Sequence, residues 1–268
     1  MAVSDAADDF DPETDSVLRA TGLTKKFGDF VALDGVDLDV RDGEFRSVIG
    51  PNGAGKTTLF NCLTGALTPT SGSVHFRGED VTRLAPHERV RRGMGRSFQI
   101  STVFGGLSVR ENVRLAAQSV AEGEGAIPFH RKLFSPTERF ESVEARTDEV
   151  LSEIGLQERA DDYARALAHG DRRRLELGLV LATDPDLVLL DEPTAGMGSE
   201  ETQRTIALVE EVLADQTMLL IEHDIDLVMN VSDTVTVLNR GQVLATGTPE
   251  RIAEDDDVQK AYLGGVRE

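Results

Sequence analysis

Gly50-Pro51-Asn52-Gly53-Ala54-Gly55-Lys56-Thr57-Thr58 carries glycines, a lysine and a hydroxyl in the order G-x-x-x-x-G-K-[ST]. Those residue types at that spacing bind polyphosphate. Glycines let the backbone curl so that successive N–H groups point at one anion. Lys56 can place its charge on the outer phosphates, and the Thr57 hydroxyl can take one position on Mg²⁺. A helix starting near Lys56 would aim its positive end at the same anion.

Two apolar runs downstream end in groups that could act on such a phosphate. Leu187-Val188-Leu189-Leu190 stops at Asp191-Glu192. A carboxylate at the end of a buried strand can hold Mg²⁺, and a second beside it can polarise an attacking water. Asp191 is the candidate for the first role and Glu192 for the second. Leu219-Leu220-Ile221 stops at Glu222-His223-Asp224, which sets His223 where it could face a γ-phosphate.

These groups need elements to position them. The continuous apolar runs read as parallel strands buried on both faces. Glu44 to Ile49 reads as a strand before the phosphate loop, with Arg46 out of character inside it unless it stands at a strand end or an edge position. Thr57 to Thr64 reads as a helix stopped by Gly65. Val17 to Val40 reads as strands, with Val36, Leu38 and Val40 alternating with Asp37 and Asp39. Ser73 to Phe76 adds another. From Leu107 to Arg165 the chain turns helical. Ser108 and Glu111 form a capping box there, and a second helix ends near Gly155. Arg172 to Ala182 reads as a further helix. Ser199 is expected to cap another, with Glu200 and Glu201 in its first turn and Ile206, Val209 and Leu213 on its buried stripe. A hairpin is expected around Gly241, and a C-terminal helix opening at Thr248-Pro249.

Composition bounds what the protein can be. The chain has 268 residues, 40% of them hydrophobic, and a net charge of −20. The acidic N-terminus lacks the pattern of a signal peptide. The uncharged stretch 57–76 contains Pro69, Gly72 and His75, so it is no membrane span. Residues 1–16 hold six acids and no base and read as a disordered, solvated tail, leaving 17–264 for the folded domain. Cys62 is the only cysteine, which excludes an internal disulfide and reads as a small buried residue. Among 28 basic residues only five are Lys. Acidic excess with arginine preferred suits a salt-rich, halophilic cytoplasm, where self-repulsion is screened. The absence of a basic patch argues against a nucleic-acid partner.

The ordered set of motifs resembles the ATP-binding subunits of ABC transporters, over nearly the whole chain. The resemblance implies an α/β fold: a P-loop NTPase core with an antiparallel β subdomain and an inserted α-helical lobe, here about 107–165. It implies ATP and Mg²⁺ as ligands. Gln99, in Arg96-Ser97-Phe98-Gln99, becomes the glutamine-loop residue that helps arrange Mg²⁺ with Thr57 and Asp191. Phe27 matches the aromatic that stacks on adenine, although by itself it would read as core. Leu167-Ala168-His169-Gly170-Asp171 occupies the signature position, so Ala168, His169 and Gly170 would meet the ATP of an opposite subunit. The chain departs from the family pattern there. Ala168 replaces a serine, and Gly198 stands where an aspartate often follows the second acidic motif.

Within the family the chain is most like the larger ATPase subunit of branched-chain amino acid importers. The signature histidine, Ala195-Gly196-Met197, Ile221-Glu222-His223-Asp224, an insert around 122–143 and the ending Ala261-Tyr262-Leu263-Gly264 carry that likeness. It implies a second ATPase subunit, two integral membrane permeases, an extracellular solute-binding protein, and a place on the cytoplasmic face of the membrane. The lobe would dock on the permeases, and Phe129, Leu133, Phe134 and Phe140 serve either that contact or lobe packing. Urea or amide importers carry a similar ATPase, and a soluble ABC-type ATPase stays open. So does a catalytically silent subunit. A GTPase lacks support, since no Asn-Lys-x-Asp follows the phosphate loop.

Overall fold

Five parallel strands form the centre of the molecule, and the phosphate loop hangs from an inner one. The structure, a computed structural model, describes residues 16–96, 103–121, 136–214 and 216–263. The principal sheet runs β10-β9-β3-β8-β7-β6, comprising β3 (Phe45–Ile49), β6 (Met94–Arg96), β7 (Leu187–Asp191), β8 (Thr217–Ile221), β9 (Thr234–Asn239) and β10 (Gln242–Gly247). All neighbours are parallel except β9 and β10, which form the hairpin expected around Gly241. A second, antiparallel sheet runs β2-β1-β4-β5 from β1 (Ser16–Phe27), β2 (Phe30–Arg41), β4 (Ser71–Phe76) and β5 (Glu79–Asp80).

Side chains alternate across a strand, so a strand covered on both sides must be apolar at every position. β7, up to its terminal Asp191, and β8 after Thr217 obey this. Leu187 and Leu189 of β7, with Leu219 and Ile221 of β8, pack toward β1, β2 and the helix after the phosphate loop, α1 (Lys56–Leu63). Val188, Leu190, Met218 and Leu220 pack on the other face, against helices. Each such fully buried side chain contributes about 1.5–3 kcal/mol relative to exposure.

Those helices are α3 (Val109–Ala121) and α4 (Pro136–Glu153) of the lobe, α5 (His169–Leu181) and α6 (Ser199–Val212); α2 (Pro86–Val90) precedes β6. Three short helices complete the chain: α7 (Ile225–Val231), α8 (Pro249–Ala253) and α9 (Asp256–Leu263). The capping box at α3 forms as expected: Ser108 N–H donates to Glu111 Oε2 at 2.8 Å, and Glu111 N–H donates to Ser108 Oγ at 3.1 Å. Among the described residues no helix is long and apolar enough to cross a membrane.

Four expectations change. The helix after the signature starts at His169, three residues before Arg172, because Ala168 takes the N-cap position with extended backbone. Ser199 does not cap α6; Gly198 sits at that cap, and no side chain closes it. Arg46 lies on the central strand β3, not at an edge. It is tolerated there because Glu44 Oε1 takes its Nη2 at 2.9 Å and its Nε at 3.0 Å, with Thr236 Oγ1 3.3 Å from Nη1. Ser16 belongs to β1, with its hydroxyl 3.0 Å from Asp39, so it is part of the folded domain rather than of the expected tail; residues 1–15 lie outside the described residues. So do Phe129, Leu133 and Phe134, and the Phe140 side chain.

Cys62 is buried on α1, and beneath that helix lies Arg89, 1% exposed. Its guanidinium donates to the carbonyls of Cys62 at 2.9 Å, Thr82 at 3.1 Å and Leu84 at 3.2 Å, and to that of Leu63. It therefore satisfies carbonyls that the end of α1 leaves open. Arg89→Leu should destabilise the protein by roughly 2–5 kcal/mol in chemical denaturation, because buried carbonyls lose their donors. Arg204→Leu, which removes an exposed partner of Glu200, should cost only about 0–1 kcal/mol.

Candidate active site

The parallel register sets three strand ends at one height. Val48 of β3 pairs with Ile221 of β8, and Ile221 pairs with Asp191 of β7. The next residues stay in step: Glu192 N–H donates to Ile221 O at 2.8 Å, and Glu222 N–H to Val48 O at 3.4 Å. The phosphate loop, the two acids and the histidine thus leave the same edge of the sheet.

The loop itself is packed against backbone. A Cβ on Gly50 would lie 2.2 Å from the Leu238 carbonyl oxygen, so only glycine fits. Gly55 has φ 107° and forms the N-cap of α1, and a Cβ there would meet Ala32 O at 2.7 Å. Ala54 is tied to both sides: its N–H donates to Pro51 O at 3.0 Å, and its carbonyl accepts from Gly241 N–H at 2.9 Å. Asn52, Gly53 and Thr57 are exposed along the loop, while Thr58 is half-buried. Lys56 is buried, and its ammonium donates to Gly50 O at 2.6 Å. Burial lowers its pKa; the Glu192 and Glu222 carboxylates oppose that shift.

Asp191 is 5% exposed at the end of β7. Glu192, half-buried, has φ 44°, a left-handed conformation that costs a non-glycine residue about 1–2 kcal/mol. Such strain persists only where surroundings impose it, and it gathers at functional sites. Next to it lies a residue that sequence reasoning missed. Glu222 is wholly buried and accepts hydrogen bonds from Thr194 N–H at 3.2 Å, the Thr194 hydroxyl, and His223 N–H at 3.0 Å. A carboxylate inside an otherwise apolar strand end was the available signal. His223 itself is 57% exposed in its side chain, with Nδ1 3.3 Å from Glu222 Oε2.

The structure therefore gathers Lys56, Asp191, Glu192 and His223 around Glu222. Phe27 is 48% exposed at the end of β1, not a core residue, with the Lys25 ammonium 5.3 Å from its ring centre. Gln99 lies outside the described residues. The signature residues sit elsewhere. Ala168 caps α5 without a side-chain bond, and His169 and Gly170 line a cleft of about 590 Å³ with Arg173, Gly198, Glu201 and Arg204. No phosphate-loop residue lines that cleft. His169 Nε2 stands 2.9 Å from Glu201 Oε1.

This donor set fits a nucleotide triphosphate. It offers a glycine cradle that a Cβ would fill, a buried lysine and the start of a helix. Thr57 and Asp191 are oxygen ligands of the kind Mg²⁺ accepts alongside phosphate. Among the described residues no cluster of three or more His, Cys, Asp or Glu could cage a metal alone.

Comparison with known proteins agrees. The ABC transporter family pattern matches residues 33–195, and the pattern described as branched-chain amino acid ATP-binding cassette transporter matches 242–268. The high-affinity branched-chain amino acid transport ATP-binding protein BraF of Pseudomonas aeruginosa is 42% identical over 251 residues, spanning 92% of this chain and 98% of the relative. The protein of the same description from Escherichia coli, LivG, is 42% identical over 252 residues, with 92% and 98% covered. Among solved structures, the ADP conformation of MJ1267, an ATP-binding cassette of an ABC transporter, superposes with a TM-score of 0.76 at 32% identity, covering 93% of this chain and 99% of that one. A nucleotide-free ATP-binding cassette from an ABC transporter gives 0.74 at 33%, with 92% and 98% covered.

Burial raises the Asp191 carboxyl above its ordinary pKa. Arg96 opposes the rise, and Glu192 and Glu222 add to it. A carboxyl raised on folding favours the folded state below its unfolded pKa. That advantage is lost as pH rises from the unfolded value through the folded one. At neutral pH, above the ordinary Asp range, the penalty is in place. Asp191→Asn should therefore raise the melting temperature of the nucleotide-free protein at pH 7, by roughly 2–4 °C per kcal/mol relieved. The gain should vanish in a melt at a pH below the ordinary Asp range.

Proposed function

Because the chain belongs to the ABC transporter family, we propose that it is the ATP-hydrolysing subunit of a branched-chain amino acid importer, acting as one half of a two-ATPase dimer on the cytoplasmic face of the membrane. The solute assignment is supported by the C-terminal pattern at 242–268 and by the printed descriptions of the relatives. That C-terminal pattern favours this reading over a urea or amide importer.

The single observation that carries the dimer is the separation of the two half-sites. Lys56, Asp191, Glu192 and His223 converge at the sheet edge, whereas His169 and Gly170, at the start of the helix that Ala168 caps, line a cleft without any phosphate-loop residue. Two chains arranged head to tail would bring each signature edge to the other chain's nucleotide. The N–H groups at the start of α5 have no side-chain cap, which leaves them to meet phosphate. The partner ATPase need not be identical. Two integral membrane permeases and an extracellular solute-binding protein complete the assembly. Phe104 and Tyr163, exposed on backbone stretches that hydrogen-bond to each other, are consistent with a permease contact on the lobe.

In hydrolysis, Phe27 stacks on the adenine, and the loop from Gly50 to Thr58 holds the phosphates. Lys56 gives up its bond to Gly50 O for the outer phosphates. Thr57, Gln99 and Asp191 would hold Mg²⁺, which supplies charge neutralisation at the phosphates. Glu192 takes a proton from the attacking water, and His223 steadies the γ-phosphate. The products are ADP and phosphate. Closing and reopening of the dimer turns this into motion of the permeases.

Glu192→Gln should bind a fluorescent ATP analogue with affinity close to that of the natural chain while losing about 10²–10⁴-fold in kcat. Stopped turnover with retained binding checks the role; near-normal turnover removes Glu192 from it.

A further inference from the structure

We propose that Glu222 is a positioning residue for hydrolysis, a buried carboxylate that holds the Glu192 turn and His223 in one fixed arrangement. The inference rests on the ATPase reading and assigns a residue to the same site.

The two oxygens of Glu222 serve two different segments. Oε1 accepts from the Thr194 N–H and hydroxyl, two residues past Glu192. Oε2 accepts from His223 N–H at 3.0 Å and lies 3.3 Å from His223 Nδ1. One carboxylate thus bridges the turn after β7 and the segment after β8. It is also one of two acids whose charge opposes the effect of burial on Lys56.

A carboxylate with no exposed surface carries a desolvation cost that only bonding offsets. A residue kept only for packing would be apolar, as its strand neighbours Leu219, Leu220 and Ile221 are. Glu222 is not a second base for water, because both its oxygens are occupied and it is sealed from solvent. Its partner turn contains the one strained acid of the site. Glu192 holds φ 44° between its bond to Ile221 O at 2.8 Å and the Ala195 N–H bond to its own carbonyl at 3.1 Å. With Thr194 anchored on Glu222, that turn cannot relax. Without the anchor, Glu192 can return to an ordinary conformation and its carboxylate moves off line, and a shift of about 1 Å near the chemistry can cost about 10²-fold in rate.

The test uses the full chain, assembled with its membrane partners where turnover requires them. Glu222→Gln removes the charge and one of the two acceptor oxygens, so one arm of the bridge is lost, but keeps the volume. Thr194→Val removes the hydroxyl arm and leaves the charge. We expect each to lower kcat by about 10–100-fold. Binding of a fluorescent ATP analogue without Mg²⁺ should be unchanged in Thr194→Val and unchanged or tighter in Glu222→Gln, since one negative charge near the triphosphate is gone. The double variant should lose little more than the worse single one, because both act through one bridge. A merely structural role would instead lower melting temperature, binding and kcat together. That pattern, or turnover of either variant within about twofold of the natural chain, overturns the proposal. If Glu222→Gln does not fold, Thr194→Val alone decides it. If the natural chain itself does not hydrolyse ATP, the ATPase reading fails first.

Discussion

Parallel register between β3, β8 and β7 is the constraint on which the rest of this molecule depends. Strands buried on both faces favour apolar residues, and polar ones are tolerated inside only when paired, as Arg46 is, so most of the polar groups gather where the strands leave the sheet. Because Val48, Ile221 and Asp191 are level, their polar continuations emerge together. The phosphate loop, Glu192 and Glu222-His223 are far apart in sequence and adjacent at that edge for this reason alone. A slip in register would scatter them while leaving each motif intact.

Charge balance at the edge follows from that crowding. Buried Lys56 faces the carboxylates of Glu192 and Glu222, and Arg96 faces that of Asp191. Each answers the problem differently. Lys56 is parked on the Gly50 carbonyl, Asp191 is pushed toward its neutral form by burial, and Glu222 satisfies itself with protein hydrogen bonds. Glu192 alone combines partial exposure with a strained backbone. The three acids there suit a site completed by a divalent cation beside phosphate.

Much of this was legible in the sequence, for physical reasons that also mark where legibility stops. The strands at 187–191 and 217–221 announce themselves because burial on two faces requires continuous apolar runs. The capping box of Ser108 and Glu111 is a local bond, so three residues suffice to write it. Arg46 looks anomalous in sequence because its neighbour Glu44 signals pairing only once the strand is known to be central, and its other partner, Thr236, lies 190 residues away. Glu222 was passed over for a similar reason: its meaning lies in Thr194, brought near only by the register of β7 and β8. The α5 start was placed late because Ala168 carries no side chain that signals a cap, and the α6 cap was given to Ser199 when Gly198 holds it silently. Gln99 was named from family likeness alone and lies outside the described residues.

A chain that drives a membrane importer must be held by membrane partners. The most direct measurement is to capture the tagged chain from mildly solubilised native membranes, in high salt with Mg-ATP, and identify its companions by mass spectrometry. The account predicts two polytopic membrane proteins and a second ATPase, with a solute-binding protein whose ligand is a branched-chain amino acid. Only soluble companions, or none while the protein stays folded, would contradict it.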